Sequence, residues 1–545
     1  MSRSRSLALA TLLFVLFLTF LDNTIVTVVL ANVQGELHAS VSQLQWVVNG
    51  YALTFAGLML SFGAVGDLFG RKKVMLTGVT VFCAGSVIAA VAPNTDVLIA
   101  GRVVMGIGAA ASEPGTLSMI RHLYPDRAER ARALGIWAAV SGLGLALGPL
   151  IGGLLVFGWS WRAIFWFNVF FGLLAFTSAA IELPESSDPV SARFDFAGFL
   201  LGALALGSLT FAIILGETAG YRTWWIDLLF LLALVAAIAF VLAELRRSNP
   251  VLNVRYFKRA TFATSSLIAF TAYFGTFAIF FMVALYLQVV VSVSALGLAL
   301  DFVPLAVGMV VASLFTGRWV AAWGPRIPMA TGCLLAGVGI LLTNAMIGPH
   351  VGIGEIGWTM FLAGSGVGMA MVPVTSAALG SIPPRHSGMA ASTTNTFREL
   401  GAVVGVAVLG SIVNGQLTVN LLQRLNAIGI PKSYQSLVVT AVTTGTYQGQ
   451  AKAVTGKNPA ITHIVNEVIS AAYGAFGHGL NISLNIAGGL LLGSAVLALA
   501  TVYGRRVHAE LVNSEEGHLL HVSVEGEPGV AVEGRPGVAR PADAS

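Results

Sequence analysis

Residues 63–73 read Gly63-Ala-Val-Gly66-Asp67-Leu-Phe-Gly70-Arg71-Lys72-Lys73, a glycine-spaced turn that ends in three cations. Far downstream, Gly317-Arg-Trp-Val-Ala321-Ala-Trp-Gly324-Pro325-Arg326 follows the same plan: a Gly, a second Gly seven residues later, then a cation. Each stretch closes a long apolar run. A second landmark is duplicated as well, clustered glycines leading into Pro114 and again into Pro373. Two sets of matching landmarks imply two halves built alike. Such repeats are how many secondary transporters place a midplane site between two rocking bundles.

Working outward, the whole chain has the solvent preference of lipid. Of 545 residues, 56% are hydrophobic and 10% charged, with a mean hydropathy of +0.82. A soluble domain carries about 25% charged residues. The 62 glycines suit membrane helices that pack backbone against backbone. Cys83 and Cys333 both lie in apolar runs and read as small core residues, with no disulfide or zinc spacing. No metal or cofactor is expected. An ATP-driven pump would need Gly-x4-Gly-Lys-Ser/Thr, and Thr455-Gly456-Lys457-Asn458 lacks the leading glycine and the hydroxyl. A membrane enzyme would want clustered acid–base groups, whereas His463, His478, His508, His518 and His521 are scattered. The expectation is a transporter, not an enzyme.

A span needs about 20 apolar residues. On that basis helices are predicted near 8–31, 46–66, 74–92, 97–120, 134–157, 163–183, 196–215, 226–244, 262–286, 299–321, 328–347, 357–380, 396–414 and 480–503. The first run, behind Arg3 and Arg5, is too long for a signal peptide and reads as an uncleaved span. Alternate loops are basic: Arg71 to Lys73, then Arg121, Arg127, Arg130 and Arg132, then Arg246, Arg247, Arg255, Lys258 and Arg259, and finally Arg505 and Arg506. The short loops 32–45, 93–96, 287–298 and 348–356 between them hold no Lys or Arg, so the positive-inside rule places both termini in the cytoplasm of a multi-pass inner-membrane protein. The expected organisation is a six-helix bundle over 1–190, two inserted linker helices over 191–258, and a second six-helix bundle over 259–503. The second bundle carries a long extracytoplasmic loop at 415–479, and a disordered cytoplasmic tail follows at 504–545.

These motifs, in this order, resemble the major facilitator superfamily, specifically its fourteen-span drug:proton antiporter branch. The turn Gly63 to Lys73 is similar to the superfamily's loop 2–3 signature. Leu98 to Ala110, with Arg102, Gly106 and Gly108, resembles the span 4 signature with Met105 in place of the usual Gln. Gly144-Leu-Ala-Leu-Gly148-Pro149-Leu-Ile-Gly152-Gly153 matches the span 5 antiporter signature. Leu21-Asp22-Asn-Thr24-Ile25-Val26 resembles the span 1 signature, departing at Thr27 and Ala31. Gln45-Trp46 through Tyr51, Trp161-Arg162 through Asn168, and Tyr286-Leu287-Gln288 also fit. The resemblance implies an all-α membrane protein of two six-helix bundles plus two linker helices. It also implies that Asp67 and Arg71, with Gly63 and Gly70, form a cytoplasmic gate. Ala321 replaces the acid in the second copy. Gly144, Gly148, Pro149, Gly152 and Gly153 would form a kinked, smooth-faced hinge helix, with plain close packing as the other reading.

An ionisable side chain inside a bilayer is a functional candidate by default. Asp22 lies about 21 Å from one edge of span 1, and Arg102 about 8 Å from the opposite edge of the antiparallel span 4. In a core about 30 Å thick both sit at nearly one depth and should pair. They could couple transport to protons, or merely join two helices. Glu113 follows Arg102 by 11 residues, on nearly the same helix face, and is a second proton-coupling or substrate-binding candidate unless water reaches it from the cytoplasm. On span 9, Phe270, Phe274, Phe277 and Phe281 fall at helical spacing, a substrate wall or a core stripe. Asp301 is a substrate-binding candidate whose plainer role is capping span 10. Arg398 and Glu399 are placed at the membrane interface, where span 13 begins.

The resulting expectation is a proton-coupled exporter of lipophilic drugs or metabolites, with cationic ones as a candidate class, working by alternating access. The alternative is a proton-independent or importing facilitator of a small metabolite or lipid. Expected partners are a small-molecule substrate, protons and the lipid bilayer, with no nucleic acid, and the chain is expected to act as a monomer.

Overall fold

Lipid offers no partner to a backbone N–H or C=O, so apolar runs of this length must satisfy themselves as helices. A computed structural model describes residues 3–124, 126–186, 196–246, 252, 254–291, 293–348, 353–382, 387–427, 435 and 459–502. The tail beyond Val502 and the stretch Thr455 to Asn458 lie outside the described residues, as do the side chains of Asp67, Arg121, Arg127, Arg130 and Arg132. Among the described residues there is no strand.

The helices run in order as α1 (Arg3–Ile25), α2 (Leu30–Leu37), α3 (Val41–Phe69), α4 (Arg71–Ala90), α5 (Thr95–Leu123), α6 (Arg127–Gly158) and α7 (Ala163–Glu182). Two further helices follow, α8 (Phe196–Ala219) and α9 (Trp224–Arg246). The remainder are α10 (Ala260–Phe277), α11 (Ala284–Val289), α12 (Ala295–Asp301), α13 (Val303–Trp323), α14 (Arg326–Met346), α15 (Ile353–Gly380), α16 (Ser387–Ala427) and α17 (Pro459–Thr501). Short turns join α1 to α2 and α10 to α11, and Phe302 alone separates α12 from α13, so each of these pairs makes one span. Twelve stretches of described helix are long and apolar enough to cross a membrane. Besides these twelve there are α3, of 29 residues, and α8, whose apolar part Leu200–Gly216 is shorter.

The duplicated turn is visible in the backbone. Gly70 ends α3 at φ +108° and Gly324 ends α13 at φ +77°, conformations that only glycine reaches without strain. Glycine also sets the matching helix pairs. A Cβ on Gly108 of α5 would lie 2.3 Å from the Phe82 backbone nitrogen of α4. One on Gly366 of α15 would lie 2.0 Å from the Ala336 nitrogen of α14. Backbone-to-backbone approach of this kind replaces the hydrophobic drive that membrane helices lack. The inserted α8 leans on both bundles, with the Phe211 ring tilted against Trp46 of α3 at 4.4 Å and the Ile213 carbonyl accepting from Ser411 Oγ of α16.

Two boundaries depart from the sequence expectation. The helix α16 starts at Ser387 rather than 396 and runs 41 residues; α17 runs 43. At 1.5 Å per residue each is about 60 Å long, twice the hydrocarbon core. Much of the expected loop 415–479 is therefore helix continuing out of the membrane, where Leu417, Leu421 and Leu425 are buried along with Ala471, Ala472 and Ala475.

Candidate functional site in the bundle interior

Within the first bundle, Asp22 of α1 and Arg102 of α5 meet as expected from their depth. Arg102 Nη1 donates to Asp22 Oδ2 at 2.5 Å, and both side chains are 0% exposed. Three residues complete the arrangement. Asn168 of α7 donates from Nδ2 to Asp22 Oδ1 at 2.6 Å. Arg102 Nε donates to the Val47 carbonyl of α3 at 2.9 Å, and its guanidinium lies 4.5 Å from the Tyr51 ring centre. Tyr51 in turn donates to the Thr19 carbonyl at 3.0 Å. Both carboxylate oxygens are thus taken, while Arg102 Nη2 has no partner. Asn168 and Tyr51 end two of the three short motifs quoted above, so their signal was present in the sequence without their role. Met105, which stands where the branch usually has Gln, brings its sulfur to 4.0 Å from Arg102 Nη1.

Glu113 is 0% exposed. It faces the second bundle. Asn395 of α16 donates to Glu113 Oε1 at 3.5 Å, and Glu113 Oε2 has no partner. Arg398 and Glu399, expected at the interface, are instead 7% and 2% exposed. The cause is the early start of α16: Arg398 lies 11 residues past Ser387, about 16 Å along the helix. Arg398 donates to Asn395 Oδ1 at 2.9 Å and to the Tyr273 hydroxyl of α10 at 2.5 Å. Its guanidinium lies 5.7 Å from the Phe20 ring centre. Glu399 accepts from Asn23 Nδ2 of α1 at 3.1 Å. Asn23 is the neighbour of Asp22, so one turn of α1 touches both clusters. This second cluster joins the bundles, and sequence reading missed it by misplacing one helix end.

Other candidates fall as follows. Phe274, Phe277 and Phe281 are buried together with Tyr273, Phe280 and Phe302, the last two rings 5.3 Å apart. A π-helical turn at Ala278–Val283 interrupts the expected single stripe, because its wider turn shifts Phe281 off the face of Phe274. Asp301 does not cap span 10. That helix begins six residues earlier, where Ser294 Oγ accepts from the Gly297 amide, and Asp301 ends α12, half-buried. At α6, Gly144, Gly148 and Gly152 face α1 and Gly153 faces α12; a Cβ on Gly148 would lie 2.1 Å from Thr24 Oγ1. The helix runs without a break in its assignment through Pro149.

At the glycine turn between α3 and α4 the described contacts gather on Glu185. Glu185, just beyond α7, accepts from the Lys72 amide at 3.1 Å and fills the space that a Gly70 side chain would need. The Arg71 amide donates to the Ser186 carbonyl at 2.9 Å. The opposite, non-basic end is held across the bundles by Gln288, which donates to the Val28 carbonyl at 2.5 Å and accepts from the Ala31 amide at 3.4 Å. There Gly410 of α16 also packs against the Gln45 side chain of α3, and Trp161 donates to Glu36 at 2.6 Å while Arg162 forms an ion pair with the same carboxylate. Among the described residues no group of three or more His, Cys, Asp or Glu is placed to hold a metal ion.

Comparison with known proteins agrees with this architecture. The chain is 31% identical over 442 residues to the multidrug resistance protein Stp of Mycobacterium tuberculosis, covering 81% of this chain and 82% of that one. It is 35% identical over 398 residues to the methylenomycin A resistance protein of Bacillus subtilis, covering 72% and 84%. It is 31% identical over 503 residues to the drug efflux pump JefA of Mycobacterium tuberculosis, covering 91% and 97%. Among solved structures, a bacterial homologue of the human lysosomal transporter Spinster superposes with a TM-score of 0.60 at 17% identity, covering 92% of this chain and 99% of that one. The profile described as Major Facilitator Superfamily matches residues 12–406, and with two bundles, two inserted helices and a duplicated glycine turn, the chain belongs to that family of membrane transporters.

Proposed function

We propose that the protein exports lipophilic drugs or metabolites, cationic ones included, and drives that export by taking up protons. The observation that carries this reading is the sealed Asp22–Arg102 pair with its Asn168 donor. A carboxylate in a dry interior stays ionised only while a cation and donors face it. Alternating access moves the bundles about one another, and Asn23 ties α1 to Glu399 of the second bundle. Separation of the bundles would therefore tug the helix that holds Asp22. The acid would load a proton on one side of the membrane and return to Arg102 once the proton has left on the other. Drug export is further supported by relatives named for multidrug resistance, antibiotic resistance and drug efflux.

The basic end, with Arg71, Lys72, Lys73, Arg255, Lys258 and Arg259, would face the cytoplasm of a cell membrane and the Gln288 end the outside. The protein is read as a monomer with a first bundle over 1–190, a linker pair over 191–258 and a second bundle over 259–503. The test is efflux of a lipophilic cation dye from vesicles under an imposed proton gradient. Gradient-driven efflux is expected in the wild type and lost in Asp22→Asn. Unchanged gradient dependence in the variant would remove Asp22 from coupling, and saturating transport with no proton flux would make the protein a facilitator.

A further inference from the structure

A membrane helix that meets lipid should show it an apolar face, and much of α17 does, with Leu490, Val496, Leu497 and Leu499 exposed. One strip departs from that rule. At three- and four-residue steps down one side run Gly474, His478, Asn481, Asn485 and Gly489, all exposed, and Gly493 follows beside them. Counted from Thr501, Asn481 is about 30 Å along the helix, at the edge of the hydrocarbon core, and Asn485 about 24 Å, just inside it.

Acyl chains offer an amide nothing, so carboxamides at this depth call for polar company. Asn485 Nδ2 donates to Asn481 Oδ1 at 2.9 Å. Asn344 Nδ2 of α14 donates to Asn485 Oδ1 at 3.0 Å and to the Asn481 carbonyl at 3.3 Å. Asn344 is 7% exposed, and its own Oδ1 has no partner. Each carboxamide carries two N–H donors and two acceptor lone pairs, more than this ladder uses. Beyond the amides, the Arg424 guanidinium of α16 lies 3.3 Å from where a Gly474 side chain would begin, about 10 Å from Asn481 at the level of lipid headgroups. His478 stands between them. On the other side of the amides, a Cβ on Gly489 or Gly493 would meet nothing within 4 Å, so the helix surface there is bare backbone. The helix α14 walls this channel, drawn close because Gly488 packs on Leu341 and Gly337 on Leu492.

The strip therefore passes from a cation to amides to a smooth apolar channel, the order in which a phospholipid presents its phosphate, ester carbonyls and acyl chain. We propose that it holds one phospholipid of the leaflet at the non-basic end. The phosphate meets Arg424 and His478, the ester carbonyls accept from Asn481 and Asn485, and an acyl chain lies over Gly489 and Gly493. An anionic headgroup suits the site best, since no amine then competes with Arg424. A second copy of the chain fits less well. Copies that share one orientation in the membrane are related by an axis along its normal, which would set Arg424 against its own counterpart. The proposal is independent of proton coupling and of what the protein exports.

Native mass spectrometry of the full-length protein, released from nanodiscs of mixed phosphatidylglycerol and phosphatidylcholine, provides the test. The wild type should retain one phosphatidylglycerol. Arg424→Gln should weaken that retention about tenfold, the loss of one charge-assisted contact, and abolish the preference for the anionic lipid. Asn485→Leu and Gly489→Leu should each lower retention of both lipids, the first by removing an amide and the second by filling the channel. Leu242→Ala, on the exposed face of α9, should change nothing. Equal retention in the wild type and all three site variants overturns the proposal, and so does a protein dimer that Gly489→Leu dissolves. Should a variant fail to fold, phosphatidylglycerol with a diazirine on its acyl chain can be applied to the wild type. Crosslinks concentrated over residues 485–496 support the site, and crosslinks spread evenly over the lipid-facing helices overturn it.

Discussion

At the scale of single residues, the interior is governed by charges that must be matched and by glycines that cannot be enlarged. Arg102→Met would strand Asp22 without its cation, a change that costs about 3–5 kcal/mol when one partner of a buried pair is removed. The expected outcome is a large fall in thermal unfolding temperature in detergent, and recovery of most of it in the Asp22→Asn, Arg102→Met double variant. A double variant as unstable as the single one would show that Arg102 acts mainly through Val47 and Tyr51. Gly366→Ala tests the other constraint. Its Cβ would sit 2.0 Å from the Ala336 nitrogen, and backbone cannot swing aside as a side chain can. A loss of about 1–3 kcal/mol is expected from forced separation of α14 and α15, read as a lowered unfolding temperature.

At the scale of elements, the ends of helices decide which groups meet. The N-terminus of α4 is held by Glu185, whose carboxylate accepts from the Lys72 amide. Glu185→Ala should cost about 0.5–2 kcal/mol, the usual worth of a helix cap, and should speed hydrogen exchange at Lys72 and Val74 while leaving α5 protected. Exchange unchanged at both amides would mean the turn is held by the Arg71–Ser186 backbone bond instead. The start of α16 is the more consequential end. Hydropathy sees an apolar run only after Arg398 and Glu399, so those residues read as interfacial. The polar stretch Thr393 to Glu399 is buried nonetheless: Thr393 and Thr394 donate to carbonyls of their own helix, while Glu113, Tyr273 and Asn23 from other helices meet Asn395, Arg398 and Glu399 in turn. No local pattern contains that information.

At the scale of the whole molecule, topology is open to direct measurement. The native thiols Cys83 and Cys333 are both buried, so background labelling should be low. With an impermeant thiol reagent on intact cells, Ala427→Cys is expected to react and Arg246→Cys is not; the reverse pattern would turn the protein over in the membrane. The same labelling at Ala427 would locate the far end of α16 outside the bilayer, as its 41-residue length requires. The two bundles are linked across their middle by the Glu113–Asn395 and Asn23–Glu399 contacts, and toward the non-basic end by Gln288 and by Gln45 against Gly410.

By itself the sequence determined the class and plan of this protein. Apolar runs of sufficient length must become helices in lipid, basic loops mark alternate ends, and a repeated glycine turn requires two similar halves. It also determined that Asp22 and Arg102 share a depth, because rise per residue is a constant of the helix. What only the tertiary structure decided is which polar side chains face one another across separate helices: Asn168 on Asp22, Glu185 under the glycine turn, and the set of Glu113, Asn395, Arg398 and Glu399 between bundles. Those encounters depend on rotation, tilt and true helix ends, none of which is carried by the local order of residues.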